Sequence, residues 1–289
     1  MNSSEHSESE NWDLIINPKN SEFNLKVSEL WKFRDLLFMF VKRDFVSVYK
    51  QTILGPLWFF IQPILTTIMF ILVFGNIAKL STDGLPQILF YLAGITIWYY
   101  FADTLMATSN TFVSNATIFG KVYFPRLIMP LSKVLSGLIK FGIQFLLFLL
   151  VILYYLYKGS GIHSDIYGIL IFTPIILIIM GTLGLGIGLI LSALTTKYRD
   201  LTFLITFGIQ LGMYITPIIY PVSAINSKYK WLILANPLTS LVEAFRKVYL
   251  GAGSIRLSGL LYSFIFAAVI LILGAFIFNK VEKTFMDTV

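Results

Sequence analysis

Phe59, Gln62, Thr66 and Phe70 recur at i, i+3, i+7 and i+11, and Phe203, Phe207, Gln210 and Tyr214 at i, i+4, i+7 and i+11. Each set therefore falls on one face of a helix. Both combine aromatic rings with a side-chain amide inside otherwise apolar sequence. A sugar ring has C–H-rich faces that stack on aromatic rings and polar edges that exchange hydrogen bonds with amides, so the mixture suits a carbohydrate. The same pattern also serves hydrogen bonding between helices in a bundle. A glutamine turned to lipid would leave its amide without partners, which directs both faces toward protein or a pore.

Little else in the sequence offers chemistry. Asp103 and Lys140 are the ionisable candidates inside apolar runs, and they can pair across the second and third helices. So few titratable groups at membrane depth argue against a transporter driven by a proton or ion relay. The Walker A pattern G-x-x-x-x-G-K-[ST] does not occur, so no nucleotide site of that kind is expected. Neither a nucleophile–base pair nor a carboxylate cluster is visible. With 0 cysteines and 2 histidines, His6 and His163, neither disulfides nor a thiolate or histidine metal site is expected.

The elements that must carry these stripes are membrane helices. The chain is 57% hydrophobic and 13% charged, against about 25% charged in a soluble domain. Its mean hydropathy is +0.80. Six runs of low charge, about 56–78, 86–108, 127–157, 166–194, 201–221 and 258–279, each approach the length of a span. Lys and Arg collect on one side of them: up to Lys50, at Lys121, Arg126 and Lys133, at Lys197 and Arg199, and at Lys280 and Lys283. The first two connections on the other side hold only Lys79 and Lys158. Both termini are thus expected in the cytoplasm. The net charge of +7 follows from this arrangement and does not imply a nucleic-acid partner.

Two segments stand apart from the spans. Residues 28–50 place Ser28, Lys32, Asp35, Lys42 and Arg43 near one stripe and Leu30, Trp31, Phe33, Leu37, Phe40 and Val41 around it. That is the pattern of a helix lying on the membrane, and Gly55-Pro56 hinges it directly onto the first span. Such a helix can be a simple anchor or a lever touching a cytoplasmic partner. Residues 222–257 should lie outside, yet hold Lys228, Lys230, Arg246, Lys247 and Arg256. Asn236-Pro237 reads as an N-cap and first helical residue, and Glu243 can pair with Arg246 or Lys247. This segment reads as a short re-entrant helical hairpin. In the fourth and fifth runs, Gly181, Gly184, Gly186, Gly188, Gly208 and Gly212 read as close-packing faces, and Asp200 as the N-cap of the fifth.

Five short motifs occur in order between these runs: Lys50–Pro63 (K-Q-T-I-L-G-P-L-W-F-F-I-Q-P), Phe119–Arg126 (F-G-K-V-Y-F-P-R), Tyr198-Arg-Asp-Leu201, Thr216-Pro-Ile-Ile-Tyr-Pro221, and Asn236-Pro-Leu followed by Glu243-Ala-Phe-Arg246. In these the chain resembles, from about residue 28 onward, the permease subunits of type-2 ABC exporters of O-antigen, capsular polysaccharide or teichoic acid. The resemblance implies a homodimer facing itself through the first and fifth spans, with Phe59, Gln62, Thr66, Phe70, Phe203, Phe207, Gln210 and Tyr214 along a central conduit. It implies two copies of a separate cytoplasmic ATPase, so that ATP and Mg are bound there, no cofactor is bound here, and this chain is not itself an enzyme. It further implies coupling through the surface helix and the second-to-third loop at Lys32, Arg34, Asn115, Phe119, Lys121 and Tyr123. An external gate would contain Glu243 and Arg246. The implied cargo is a glycan on undecaprenyl pyrophosphate in the inner membrane, whose pyrophosphate Lys42, Arg43 and Arg126 could meet, although these same cations satisfy membrane topology.

The expected fold is an all-α integral membrane protein. It comprises a cytoplasmic tail (1–27), an amphipathic interface helix (28–54) and a six-span permease domain (55–289) with the hairpin between spans five and six. Alternative functions are a type-2 ABC exporter of teichoic acid, drugs or lipids, or a non-transport membrane subunit of glycan assembly. An enzyme of glycan assembly would need an acidic catalytic cluster on a loop. A synthase scaffold would bind no ATPase.

Overall fold

The computed structural model describes residues 27–50, 53–119, 124–159, 161–198 and 200–285, and among these every regular element is helical. The expected tail, residues 1–27, falls almost entirely outside the described residues, as do Lys121 and Tyr123. The surface segment forms two helices, α1 (Val27–Lys32) and α2 (Arg34–Tyr49), separated at Phe33, whose ψ of 20° departs from helix. A short 3-10 turn, Gly55–Leu57, turns the chain into α3 (Trp58–Phe70). Gly55 occupies a positive φ of 48° at this hinge, a conformation that glycine adopts without a Cβ penalty. The next seven residues, Ile71–Ile77, widen into a π-helix.

The remaining helices are α4 (Gln87–Ser109), α5 (Thr111–Phe119), α6 (Ile128–Tyr157), α7 (Ile166–Lys197), α8 (Leu201–Ile215), α9 (Ser227–Ala235), α10 (Pro237–Leu250) and α11 (Leu257–Phe285). Among the described residues, five segments are long and apolar enough to cross a membrane: Gly55–Ile77, Gln87–Ser109, Ile128–Tyr157, Ile166–Lys197 and Leu257–Val281. The chain is a multi-pass membrane protein. The expected fifth span is shorter than its apolar run. α8 has 15 residues, about 22 Å at 1.5 Å per residue, against a hydrocarbon core of about 30 Å. Pro217 accounts for the stop, because a proline forces the residue before it out of helix, and Thr216 is extended with ψ at 139°.

α4 is the hub of the bundle. Most of its residues are buried, including Leu89, Phe90, Tyr91, Ile95, Ile97 and Phe101, and it packs against α3, α6, α7 and α10. Small residues let α7 approach on two sides. A Cβ on Gly184 would stand 3.0 Å from Thr104 and one on Gly188 would stand 2.5 Å from Thr108, both on α4. Gly186 faces the other way, where a Cβ would meet the backbone nitrogen of Leu271 in α11 at 2.8 Å. The glycine cluster is thus divided between two interfaces, as the close-packing expectation allows. A second apolar cluster joins Phe40 of α2, Phe112 and Phe119 of α5, Phe124, Ile128 and Met129 with Phe278 of α11. Phe112 and Phe278 stack there at 4.5 Å.

Candidate functional site

The aromatic stripe on α8 is uncovered. Phe203, Phe207 and Tyr214 are 81%, 56% and 50% exposed, Gln210 is exposed beside them, and Ile205 is the one buried residue of the helix. α8 leans on α4 through Trp98, where a Cβ on Gly212 would lie 3.1 Å from the indole ring. Between α8 and the bundle runs an apolar cavity of about 450 Å³, lined by residues including Trp98, Phe101, Leu204, Gly208 and Leu238. Tyr220 folds back to donate its hydroxyl to the carbonyls of Tyr214 (3.0 Å) or Ile215 (3.3 Å), satisfying groups left open at the helix end.

The four residues of the α3 stripe do not share one environment. Phe59 and Phe70 are buried with Pro63 and Thr67, where α3 packs against α4 and α6. Phe70 meets Tyr91 edge-on at 5.9 Å, and Lys140 lies over the Phe59 ring at 5.9 Å. Gln62 is exposed and Thr66 sits at the border, its hydroxyl 2.8 Å from that of Tyr99 in α4. The outward surface of α3 is instead formed by Trp58, Leu65, Ile68 and Met69, and Leu72 continues it in the π-helix.

The residues expected at an external gate are buried. Arg246 is 1% exposed and Glu243 7%. Asn236 caps α10, accepting from the Leu238 amide at 3.0 Å, and Pro237 follows at the first helical position, as the sequence predicts. Glu243 and Arg246 approach to 3.9 Å. The stronger partners of Arg246 are the carbonyls of Pro217 (2.6 Å) and Ile218 (2.7 Å), which the break after α8 releases from helical bonding. Its guanidinium also lies 3.7 Å over the Phe90 ring of α4, a cation–π contact strengthened by burial. One side chain thus joins α10, the end of α8 and α4. Burial pushes the Glu243 carboxyl upward, and the Arg246 cation opposes that shift. Burial lowers the Arg246 pKa to about 10, which leaves it charged at neutral pH.

Of the expected coupling residues, Lys32 and Arg34 are exposed, and Arg34 rests 5.7 Å over the Trp31 ring. Asn115 and Phe119 point inward. Asn115 is buried where α5 departs from helical geometry (φ −123°, ψ 16°), and its amide nitrogen donates to the Thr111 carbonyl at 2.9 Å. Phe119 packs between Phe112 and Phe124 at 5.7 and 5.8 Å. Val113 and Ser114 form exposed surface on this helix. Asp103 and Lys140 pair across α4 and α6 at 3.9 Å, as expected. Asp200 stands at the N-cap position of α8, but its side chain makes no capping hydrogen bond. The Asp44–Lys133 ion pair leaves no local signature in the sequence, because the two residues lie 89 positions apart. Among the described residues no cluster of His, Cys, Asp or Glu could hold a metal ion.

Residues 35–250 match the family of the ABC-2 type transporter. The chain belongs to the ABC-2 transporter family. It is 31% identical to the O-antigen export system permease protein RfbA of Klebsiella pneumoniae over 88% of this chain and 94% of that protein. The protein of the same name from Myxococcus xanthus is 26% identical, over 77% and 83% of the two chains. The polysialic acid transport protein KpsM of Escherichia coli is 22% identical over 85% and 93%. In this ABC-2 permease, the match spans α2 to α10 and therefore includes the α8 stripe and the Arg246 contacts.

Proposed function

We propose that this ABC-2 permease is the membrane subunit of an ATP-driven exporter that moves a lipid-linked polysaccharide, such as an O-antigen, across the bacterial inner membrane. Two copies face each other through α3 and α8, and each engages one copy of a separate ATPase at the cytoplasmic face. α8 acts as the fifth of six spans, α1 and α2 lie on the cytoplasmic interface, and α9–α10 re-enter from the outer face. Both termini are cytoplasmic. The carrier is undecaprenyl pyrophosphate.

The observation that carries this reading is the uncovered row of Phe203, Phe207, Gln210 and Tyr214. An amide and a phenol at membrane depth need polar partners, which a glycan crossing between two copies supplies while its ring faces stack on the aromatics. The two export proteins named for O-antigen support the cargo class. The relative named for polysialic acid transport favours a capsule-like glycan as the second reading.

The test is the double substitution F207A/Y214A. Glycan export is expected to fall severalfold while dimer assembly and ATPase association persist. Unchanged export would remove α8 from the conduit wall.

A further inference from the structure

Asp44 uses both carboxylate oxygens on cations from different parts of the fold. Oδ1 accepts from Arg43 Nη2 at 2.8 Å and Nε at 3.1 Å, and Oδ2 accepts from Lys133 Nζ of α6 at 2.7 Å. Its side chain is 13% exposed and that of Lys133 18%. Arg43 extends the contact to α5, donating to Asn115 Oδ1 at 3.4 Å, and its guanidinium lies 4.7 Å over the Phe40 ring. A helix that merely rests on a membrane keeps its charges in water and its apolar face in lipid. Withdrawing an acid from water between two cations has a desolvation cost that anchoring does not require.

The ionic contacts also continue deeper. Two turns along α6, Lys140 pairs with Asp103 of α4 at 3.9 Å. Asp44, Ser47, Asp103, Lys133 and Lys140 together line a polar cavity of about 170 Å³ between α2, α4 and α6. One turn before Asp103, Tyr99 of α4 meets Thr66 of α3. Charged and hydroxyl contacts thus run from the irregular Asn115 of α5, through α2 and α6, to α4 and the first span.

We propose that Arg43, Asp44 and Lys133 are positioning residues that transmit movement of α5 into α6 during export, rather than contacts for cargo or a passive anchor. This rests on the export function proposed above. Arg43 commits both Nε and Nη2 to the single oxygen Oδ1 of Asp44, the donors a pyrophosphate would otherwise engage. The Asp44–Lys133 pair makes α2 and α6 move as one body, so a push on α5 reaches the bundle without repacking the aromatic cluster around Phe112.

The experiment uses the complex of this chain with its ATPase in proteoliposomes and reads glycan exported per ATP hydrolysed. D44N and K133Q are each expected to lower that ratio about fivefold, the scale of a mutation along a coupled contact, while ATP turnover continues. The double variant is expected to be no worse than either single one, because both remove the same contact. K133R, which keeps the cation, is expected to hold the ratio near wild type. Losses that multiply in the double variant, or an unchanged ratio in the single ones, would overturn the link. Should D44N fail to assemble, K133Q and K133R decide the matter alone, since equal ratios in the two would overturn it. A wild-type complex that hydrolyses ATP but exports no glycan would instead overturn the export function, and the link with it.

Discussion

Replacing Arg246 with Met should be among the most damaging single changes in the bundle. Methionine keeps part of the apolar contact with Phe90 but removes both short bonds to the Pro217 and Ile218 carbonyls. It also leaves Glu243 buried without its cation. A hydrogen bond to a charged group is worth about 1.5–3 kcal/mol, and removing one member of a buried ion pair costs about 3–5 kcal/mol. The two figures overlap, so the expected loss is about 3–5 kcal/mol. At about 2–4 °C per kcal/mol for a chain of this size, the melting temperature should drop by about 10 °C, read by size-exclusion fluorescence after heating in mild detergent. The loss should also depend on pH. The Glu243 carboxyl already titrates above its ordinary value because of burial, and losing Arg246 removes the cation that holds it down. A carboxyl whose folded pKa is raised favours the folded state while protonated and loses that contribution as pH rises through the folded pKa. The deficit of R246M should therefore narrow as pH falls toward the ordinary carboxylate range and widen as pH rises, without closing, because the bonds to the Pro217 and Ile218 carbonyls are lost at every pH. The pair E243Q/R246M, which buries no lone charge, should recover part of the loss. A melting temperature for R246M within about 2 °C of wild type would refute the clamp.

Other changes separate packing from transport. Phe70→Ala empties a buried position against Tyr91 and should lower stability by about 3–5 kcal/mol, measured by the same melting assay, whereas F207A on the uncovered face should leave it within ~1 kcal/mol. Gly186→Leu places a branched side chain where even a Cβ would stand 2.8 Å from the α11 backbone. It should cost at least about 1–3 kcal/mol and reduce the yield of folded protein, while Gly208→Ala, with open space around it, should be tolerated.

Much of this arrangement was legible in the sequence where the governing physics is local. The spans follow from uninterrupted apolar runs, and the start of α10 from Asn236-Pro237, because capping needs only neighbouring residues. The Asp103–Lys140 pair was foreseeable because few charges sit inside apolar helices. Helical spacing groups residues on a face but does not say what covers that face. On α8 the stripe is open, while on α3 the packing against α4 and α6 takes Phe59 and Phe70 inward and leaves Gln62 outside. Ile218 and Ile219 extended the apolar run past the real end of α8, since hydropathy carries no record of the backbone restriction that Pro217 imposes. The partners of Arg246 are main-chain carbonyls, which leave no signature in side-chain pattern, and the Asp44–Lys133 contact depends on tertiary closure between distant segments.

The most direct test of export is to remove this chain from its native cells and measure polysaccharide at the surface against lipid-linked polysaccharide retained inside. The expected result is loss from the surface with accumulation of the lipid-linked form, reversed by the wild-type chain and poorly by F207A/Y214A. Undiminished surface polysaccharide, with no intracellular accumulation, would contradict a role in its export.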